Sequence, residues 1–307
     1  MYLVFDIGGT FIKHAVMDSA GTIISKAKRP TPKKSLNDLL TCLFSVIEPL
    51  KKQIKGIAVS CPGMVDTKKG MIYYGGLVPY LHEVNLAETL ENKFGISAAV
   101  ENDGKCAALA ELWLGSVKHA GNAVVLVLGS GVGGGIIIGG ELYRGSHLLA
   151  GEVSYIMNQF HSHHQKAVFL GQTCSAVSMI QRIAAKKGIA KEDSDGEQVF
   201  ADILSGDQEA LAIFETYCLE LAAQIYNLQY IIDPSVVAIG GGISAQPALI
   251  EKLNWALQEI AAQNPMHTII PKIVPCRFQN DANLYGALYH FFTLHDKTTS
   301  RIKKEKP

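Results

Sequence analysis

The stretch Ala123-Val124-Val125-Leu126-Val127-Leu128-Gly129-Ser130-Gly131-Val132-Gly133-Gly134-Gly135-Ile136-Ile137-Ile138 decides the fold. It opens as a strongly apolar strand, Ala123 to Leu128, meets a glycine run and resumes as an apolar strand at Ile136. Gly139-Gly140 then turns the chain into Glu141-Leu142-Tyr143, a third strand. Five of the seven residues from Gly129 to Gly135 are glycine, whereas a hairpin alone needs one or two. Glycine is the residue that lets a backbone approach a ligand closely. A glycine turn between two strands can aim several backbone N–H groups at one point and so cradle an anion. Gly129, Ser130, Gly131 and Gly133 are therefore candidate phosphate contacts.

The N-terminus repeats this order. Tyr2 to Phe5 is a strand that runs into Asp6, and Gly8-Gly9-Thr10 is a tight turn. Phe11 to Met17 and Ile23 to Lys28 complete an antiparallel meander, with a second turn at Asp18 to Gly21. Residue identity is barely shared, so the repeat is one of pattern. Gly8, Gly9 and Thr10 are candidate phosphate contacts, and Lys13 adds charge if it reaches inward. Asp6 would repel a bare phosphate, and it makes sense there with Mg²⁺ held between them through water. A lone Gly-Gly-Thr turn is equally compatible with a plain hairpin. A third cluster, Gly240-Gly241-Gly242, follows the buried strand Val236 to Ile239 and reads as a connector or as a ligand crevice at a strand's carboxyl end. Two copies of one pattern predict an α/β protein of two related domains, with a nucleotide bridging a cleft between them. The expected domains are 1–118 and 119–283, with a C-terminal helix at 284–296 joining the first and a charged, frayed tail at 297–307.

Between these features lies Glu101-Asn102-Asp103. A short strand, Ile96 to Val100, is expected to stop there, and an alanine-rich helix starts at Gly104. Asn102 and Asp103 are good helix N-caps. A carboxylate at that position faces the positive end of the helix dipole and can accept a proton from a substrate hydroxyl. A plain cap explains the same residues. Helices are also expected over Leu36 to Ile47, Leu86 to Phe94, Ala167 to Lys187, Gln208 to Ile232 and Pro247 to Gln263. Gly56 to Ser60 reads as a buried strand ending in a Cys61-Pro62-Gly63 turn, and Gly115 to Gly121 as a connector.

The 307 residues carry 28 basic and 28 acidic side chains, so nothing in the charge favours nucleic acid or an anionic membrane. No apolar run approaches the ~20 residues of a membrane span. The chain opens directly on a strand, so no signal peptide is expected. The six cysteines are scattered through apolar runs without a C-x-x-C pair, as in a reduced cytoplasmic protein.

These motifs resemble the ROK family of the actin-like ATPase superfamily, over nearly the whole chain. Asp6-Ile7-Gly8-Gly9-Thr10 is similar to its first phosphate motif and Glu101-Asn102-Asp103 to its catalytic motif. Leu128 to Ile136, running through Gly140, Leu142 to Gly145 and Ala150-Gly151-Glu152, is similar to its signature. Gly240-Gly241-Gly242 is similar to its adenosine motif. The resemblance implies two ribonuclease H-like (actin-like ATPase) domains and transfer of a phosphoryl group from ATP, with Mg²⁺, to a sugar hydroxyl, usually O6. It casts Asp103 as the base, Asn102 and Glu152 as sugar binders and Gly63 as a backbone contact. By analogy it implies a homodimer.

The chain also departs from the family pattern. Tyr155 stands where many members have a histidine serving zinc and sugar. Of the cysteine-rich run that follows in them, Phe169 to Ala176 keeps only Cys174. Four zinc ligands cannot be found there, so no structural zinc is expected. His161, His163 and His164 read as a solvated loop. At Tyr73-Tyr74-Gly75-Gly76, where relatives often place a polar sugar contact, Gly76 offers no side chain. Fewer polar clamps and the extra tyrosines Tyr73, Tyr74 and Tyr80, which core packing would equally explain, point to a larger acceptor, a β-glucoside or disaccharide such as cellobiose; Tyr155 either stacks on a sugar ring or fills the zinc-side space. Glucokinase, N-acylmannosamine kinase and fructokinase activities are the alternatives within the family. A repressor would need a helix-turn-helix domain ahead of residue 6. A non-catalytic sugar-binding regulator is the remaining alternative, which the retention of Asp103 and three glycine clusters argues against.

Overall fold

The structure, a computed structural model, describes residues 1–264, 266 and 269–295; the tail expected at 297–307 lies outside them. From the N-terminus come β1 (Tyr2–Ile7), β2 (Phe11–Met17), β3 (Ile23–Pro30), α1 (Leu36–Ile47) and β4 (Ile57–Cys61). Next are β5 (Met64–Asp66), β6 (Met71–Tyr73), β7 (Val84–Asn85), α2 (Leu86–Phe94), β8 (Ala98–Asn102) and α3 (Asp103–Trp113). The chain continues with β9 (Ala123–Leu128), β10 (Val132–Ile138), β11 (Glu141–Tyr143), β12 (Met157–His161), β13 (Lys166–Phe169), α4 (Leu170–Thr173) and α5 (Ala176–Lys186). It ends with α6 (Gly196–Ser205), α7 (Gln208–Ile232), β14 (Val236–Gly240), α8 (Pro247–Ala261), β15 (Ile273–Pro275) and α9 (Ala282–His295). No described helix is long and apolar enough to cross a membrane.

Two compact units result. One comprises Met1–Trp113, Gly145–Leu149 and the segment from Asp281; the other comprises Leu114–Arg144 and Ala150–Asn280. In the first, the described strands order as β3-β2-β1-β4-β8. β1 to β3 form an antiparallel meander, and β4 and β8 run parallel to β1. In the second, the order is β11-β10-β9-β14-β15, again an antiparallel meander followed by two parallel strands. The pattern repeat is thus a topological repeat of a mixed α/β sheet, as in actin-like ATPases.

In the first unit the period of two along β1 sends Leu3, Phe5 and Ile7 to one face, with Leu39 and Leu43 of α1. Val4 faces the other way, with Leu284 and Leu288 of α9. All are fully buried, and each contributes about 1.5–3 kcal/mol relative to exposure. The alanine-rich composition of α3 has its reason here. A Cβ built on Gly286 of α9 would lie 1.7 Å from the Cys106 carbonyl oxygen of α3, so the two helices meet with little between them. In the second unit α7 lays Phe214, Tyr217, Leu221 and Ile225 over Val124, Leu126, Val237 and Ile239. Asp233 stops α7 in a left-handed conformation (φ 49°), and Pro234 follows.

The structure corrects three readings. The expected helix Ala167 to Lys187 is three elements. Lys166–Phe169 pairs with Met157–His161 as a hairpin, α4 is one turn, and α5 begins afresh after its cap Ser175, whose hydroxyl accepts from Ser178 N–H. A short run such as Ala-Val-Phe does not distinguish strand from helix by period. Secondly, the second glycine turn is Gly129-Ser130-Gly131 alone, and Gly133, Gly134 and Gly135 lie within β10, paired to Val127, Leu126 and Val125. Thirdly, Glu101 and Asn102 belong to β8 rather than lying beyond it. The small sheet β5-β6-β7 and the strand β15 had no distinct signal in the sequence.

Candidate functional site

In the first unit the parallel strands β1, β4 and β8 finish side by side. Asp6 is paired with Ser60, Ser60 with Glu101, and Cys61 with Asn102. Their carboxyl ends form one edge, the position where open α/β sheets bind ligands. Asp6 is 6% exposed, and its Oδ1 accepts from Ser60 Oγ at 3.1 Å and from Asn283 Nδ2 at 3.0 Å. Lys13 does reach inward, placing Nζ 3.5 Å from Asp6 Oδ2. With Oδ1 taken twice and Oδ2 facing an ammonium, Asp6 suits a contact to a hydrated cation better than direct coordination.

The turn after Asp6 is closed by Gly8 N–H donating to Phe11 O (3.0 Å). Thr31 holds it from outside: its hydroxyl donates to Gly8 O at 2.7 Å and its N–H to Thr10 O at 2.9 Å. Lys33 Nζ donates to Gly9 O. A Cβ on Gly9 would come 2.9 Å from Leu77 Cβ, so this glycine is required for close approach.

Asn102 and Asp103 join β8 to α3. Asn102 is the cap: its Oδ1 accepts from Lys105 N–H at 3.0 Å. Its Nδ2 donates to Gly63 O (2.9 Å) and to Asp103 Oδ1 (3.1 Å), and its backbone N–H donates to Glu101 Oε1 (2.9 Å). Asp103 Oδ1 also accepts from Gly104 N–H at 2.8 Å. One amide therefore ties together the helix start, the carboxylate and the Gly63 turn. Gly63 (φ 101°) packs so tightly on the β6–β7 connection that a Cβ would lie 2.3 Å from Tyr74 O. Gly76 (φ 56°) lies against Pro62 of the same turn. Burial first, then the Asp103, Glu101 and Asp6 carboxylates, push the Cys61 thiol well above its ordinary range, a sign of how much negative charge converges on this strand edge.

The second unit has its own edge, formed by β9 and β14. Gly240 is paired with Val127. A Cβ on Gly241 (φ 93°) would sit 2.0 Å from Leu128 O, so the second and third glycine clusters adjoin, and Gly242 begins the short helical turn that follows. Ser175 Oγ (3.1 Å) and Val177 N–H (3.3 Å) donate to Gly129 O. Ser154 fastens the far end. Its hydroxyl donates to Val132 O (3.0 Å) and accepts from Val132 N–H (2.8 Å), while a Cβ on Gly131 would be 2.9 Å from that oxygen. Gly134 serves packing: a Cβ there would be 2.5 Å from Val125 O and 3.3 Å from Gly151 O. Glu152 follows Gly151 directly, and Tyr155, 73% exposed, donates its N–H to Glu152 O at 3.1 Å.

Around the Phe169 to Ala176 run a polar chain crosses three elements. Gln224 Nε2 of α7 donates to Asn158 Oδ1 of β12 (2.9 Å), and Asn158 Nδ2 donates to Thr173 Oγ1 of α4 (3.0 Å). Burial pushes the adjacent Cys174 thiol up to about 12, so it stays protonated. His161 and His163 are exposed. Among the described residues no group of three His, Cys, Asp or Glu could hold a metal ion.

Thr31, Lys33, Ser60, Asn283, Ser154 and Ser175 were not singled out from the sequence. Asn283 lies 277 residues from Asp6, and only the parallel sheet with α9 against it brings them together.

Residues 2–293 match the model of the ROK family. A β-glucoside kinase from Listeria monocytogenes is 33% identical over 94% of this chain and 96% of its own. A ROK family protein from Streptococcus pneumoniae TIGR4, solved in complex with sucrose, is 33% identical with a TM-score of 0.87, covering 96% of this chain and 99% of that one. A ROK family glucokinase from Streptomyces griseus, solved with glucose and AMPPNP, shares the fold at 22% identity (TM-score 0.79; 93% and 98% covered). With its strand-end motifs in place and its family match running almost end to end, the chain belongs to the ROK family.

Proposed function

We propose that the protein is an ATP-dependent carbohydrate kinase that phosphorylates a hydroxyl, O6, of a β-glucoside such as cellobiose. The observation that carries this reading is the Asn102–Asp103 junction. A carboxylate is fixed by the Asn102 amide and the Gly104 N–H at the end of the sheet edge that also bears Asp6 and its glycine turn. Phosphoryl transfer asks the protein mainly for positioning and charge stabilisation. Asp103 accepts the proton as the sugar oxygen bonds to the γ-phosphorus. The bond from that phosphorus to the β–γ bridging oxygen breaks, ADP leaves, and the proton passes from Asp103 to water. The Gly8–Thr10 and Gly129–Gly131 turns serve the phosphates through the backbone amides of Gly9, Thr10, Ser130 and Gly131, since the Gly8 and Gly129 N–H groups close their own turns, with Gly133 and Lys13 beside them, and Gly240 to Gly242 serve the adenosine. Asn102, Glu152, Tyr155 and the Gly63 and Gly76 backbone serve the sugar. Asp6 is the residue that would hold Mg²⁺ through water, and the ion would supply charge to offset the phosphates. Four deeply buried thiols that stay protonated suit a cytoplasmic setting. The β-glucoside acceptor rests on relatives that bear that name, at 33% and 29% identity.

The test is ADP release with ATP, Mg²⁺ and a panel of glucose, N-acetylmannosamine, fructose and cellobiose, with Asp103→Asn in parallel. Turnover should be greatest with cellobiose. The variant should lose about 10²–10⁴-fold or more in kcat while still binding ATP. No sugar-stimulated turnover in the unmodified protein would remove the kinase reading, and full activity in the variant would remove Asp103 as base.

A further inference from the structure

Tyr74 occupies a conformation that costs a residue with a side chain. Its φ is +51°, in the left-handed region where glycine is unstrained and a bulky residue is an outlier. Strain of this kind persists where the surroundings impose it, and it gathers at functional positions. The surroundings here are specific. Tyr74 N–H donates to His82 Nδ1 at 3.1 Å, which requires that nitrogen unprotonated. The Tyr74 ring stacks on the His82 imidazole, with centroids 5.1 Å apart and planes at 25°. Its carbonyl is pressed against Gly63. Yet the residue is 70% exposed, so burial of the ring does not repay the strain. One ring face is backed by an imidazole and the other meets solvent. The loop packs against the Cα of Gly63, and the carbonyl of that same residue receives the Asn102 amide, whose other bond goes to Asp103.

We propose that Tyr74 is a specificity-determining residue: its open face is a stacking platform for the ring of the aglycone or second sugar of a β-glucoside. The proposal rests on the kinase reading above and deepens it. The Asn102 amide and the Gly63 peptide stand between Tyr74 and Asp103, so the group lying on the ring is the remainder of the substrate and not the carbon that presents its hydroxyl to the base. Aromatic faces bind flat, partly apolar rings of this sort, and the His82 ring behind holds the platform in a single orientation.

The test compares two acceptor classes. Cellobiose and phenyl β-glucoside carry a second ring; methyl β-glucoside does not. The informative variant is Tyr74→Gly, because glycine takes φ +51° without strain and folding is preserved. The kcat/KM for the two-ring acceptors should fall about tenfold, mainly through KM, as expected for loss of one aromatic contact. That for methyl β-glucoside should stay within about twofold. Tyr74→Phe, which keeps the ring, should resemble the unmodified protein. An equal loss for both acceptor classes would make Tyr74 a structural residue and overturn the proposal, as would no loss for either. Calorimetric binding of cellobiose separates the two readings. If the unmodified protein turns over no sugar, the kinase reading fails by itself. Tyr74 is then judged by whether cellobiose binding weakens in Tyr74→Gly, and unchanged or absent binding overturns it.

Discussion

Replacing Asn102 by alanine removes the amide that joins three parts of the first unit's strand edge. The lost contacts are the cap to Lys105 N–H, the donation to Gly63 O and the donation to Asp103 Oδ1. Loss of an N-cap costs about 1 kcal/mol. The residue is 4% exposed, and stripping the Gly63 carbonyl of its donor there costs about 1–2 kcal/mol more. The sum, roughly 2–3 kcal/mol, corresponds to a fall in Tm of about 4–12 °C. Asn102→Asp separates the roles. It keeps an oxygen for Lys105 N–H and so retains the cap. It loses both donations and sets a second carboxylate beside Asp103, which favours protonation of the pair. The aspartate variant keeps the cap but places a buried carboxylate against Gly63 O and beside Asp103, so it should be at least as impaired in turnover as the alanine variant. Guanidinium unfolding and ADP-release kinetics on both proteins measure this. A stability loss under about 0.5 kcal/mol for Asn102→Ala, within the range of ordinary surface changes, would refute the capping argument. Unimpaired turnover in Asn102→Asp would refute the positioning argument.

Gly241→Ala should be severely destabilising, above about 4 kcal/mol, because a Cβ would meet Leu128 O at 2.0 Å at φ 93°. Gly139→Ala, also at positive φ (61°) but with nothing within 4 Å, should cost only about 1 kcal/mol; thermal melts of the pair check the contrast, and equal losses would refute the steric account. Cys61, Cys106 and Cys174, whose thiols burial holds protonated, should resist a thiol reagent in the native protein at pH 8, while the half-buried Cys42 reacts. Mass spectrometry after brief labelling reads this, and early modification of Cys174 would show an ionised thiol.

The parts of the fold that were legible are those in which local chemistry and tertiary demand agree. Helix α1 occupies Leu36–Ile47 and α7 occupies Gln208–Ile232, as their periodicity and the terminal Asp233-Pro234 predict. The two meanders were visible because their turns need glycine or aspartate. The glycine run in β10 misled because two causes share one residue type. Gly129 and Gly131 bound a turn, whereas Gly134 admits the Gly151 loop over a strand, and only coordinates separate a turn glycine from a packing glycine. The helix expected over Ala167 to Lys187 failed because hairpin pairing with Met157–His161 overrides a short run without decisive period. At the candidate site Asp6 and Asn102–Asp103 were readable from their place at strand ends. Their supporting donors, Ser60 and Asn283 on Asp6 and Ser154 on Val132, come from distant segments and leave no local trace.

The connection from Tyr74 to Leu77 touches the Gly63 turn at one end and Gly9 at the other. Insertions or deletions in this short connection would shift both turns together, so length change is closed to it as a route of divergence. Side chains that face solvent, such as those of Tyr74 and Leu77, 70% and 71% exposed, can change without moving the backbone. Lineages that share this connection are expected to diversify their acceptors by point substitution at those two positions while its length stays constant.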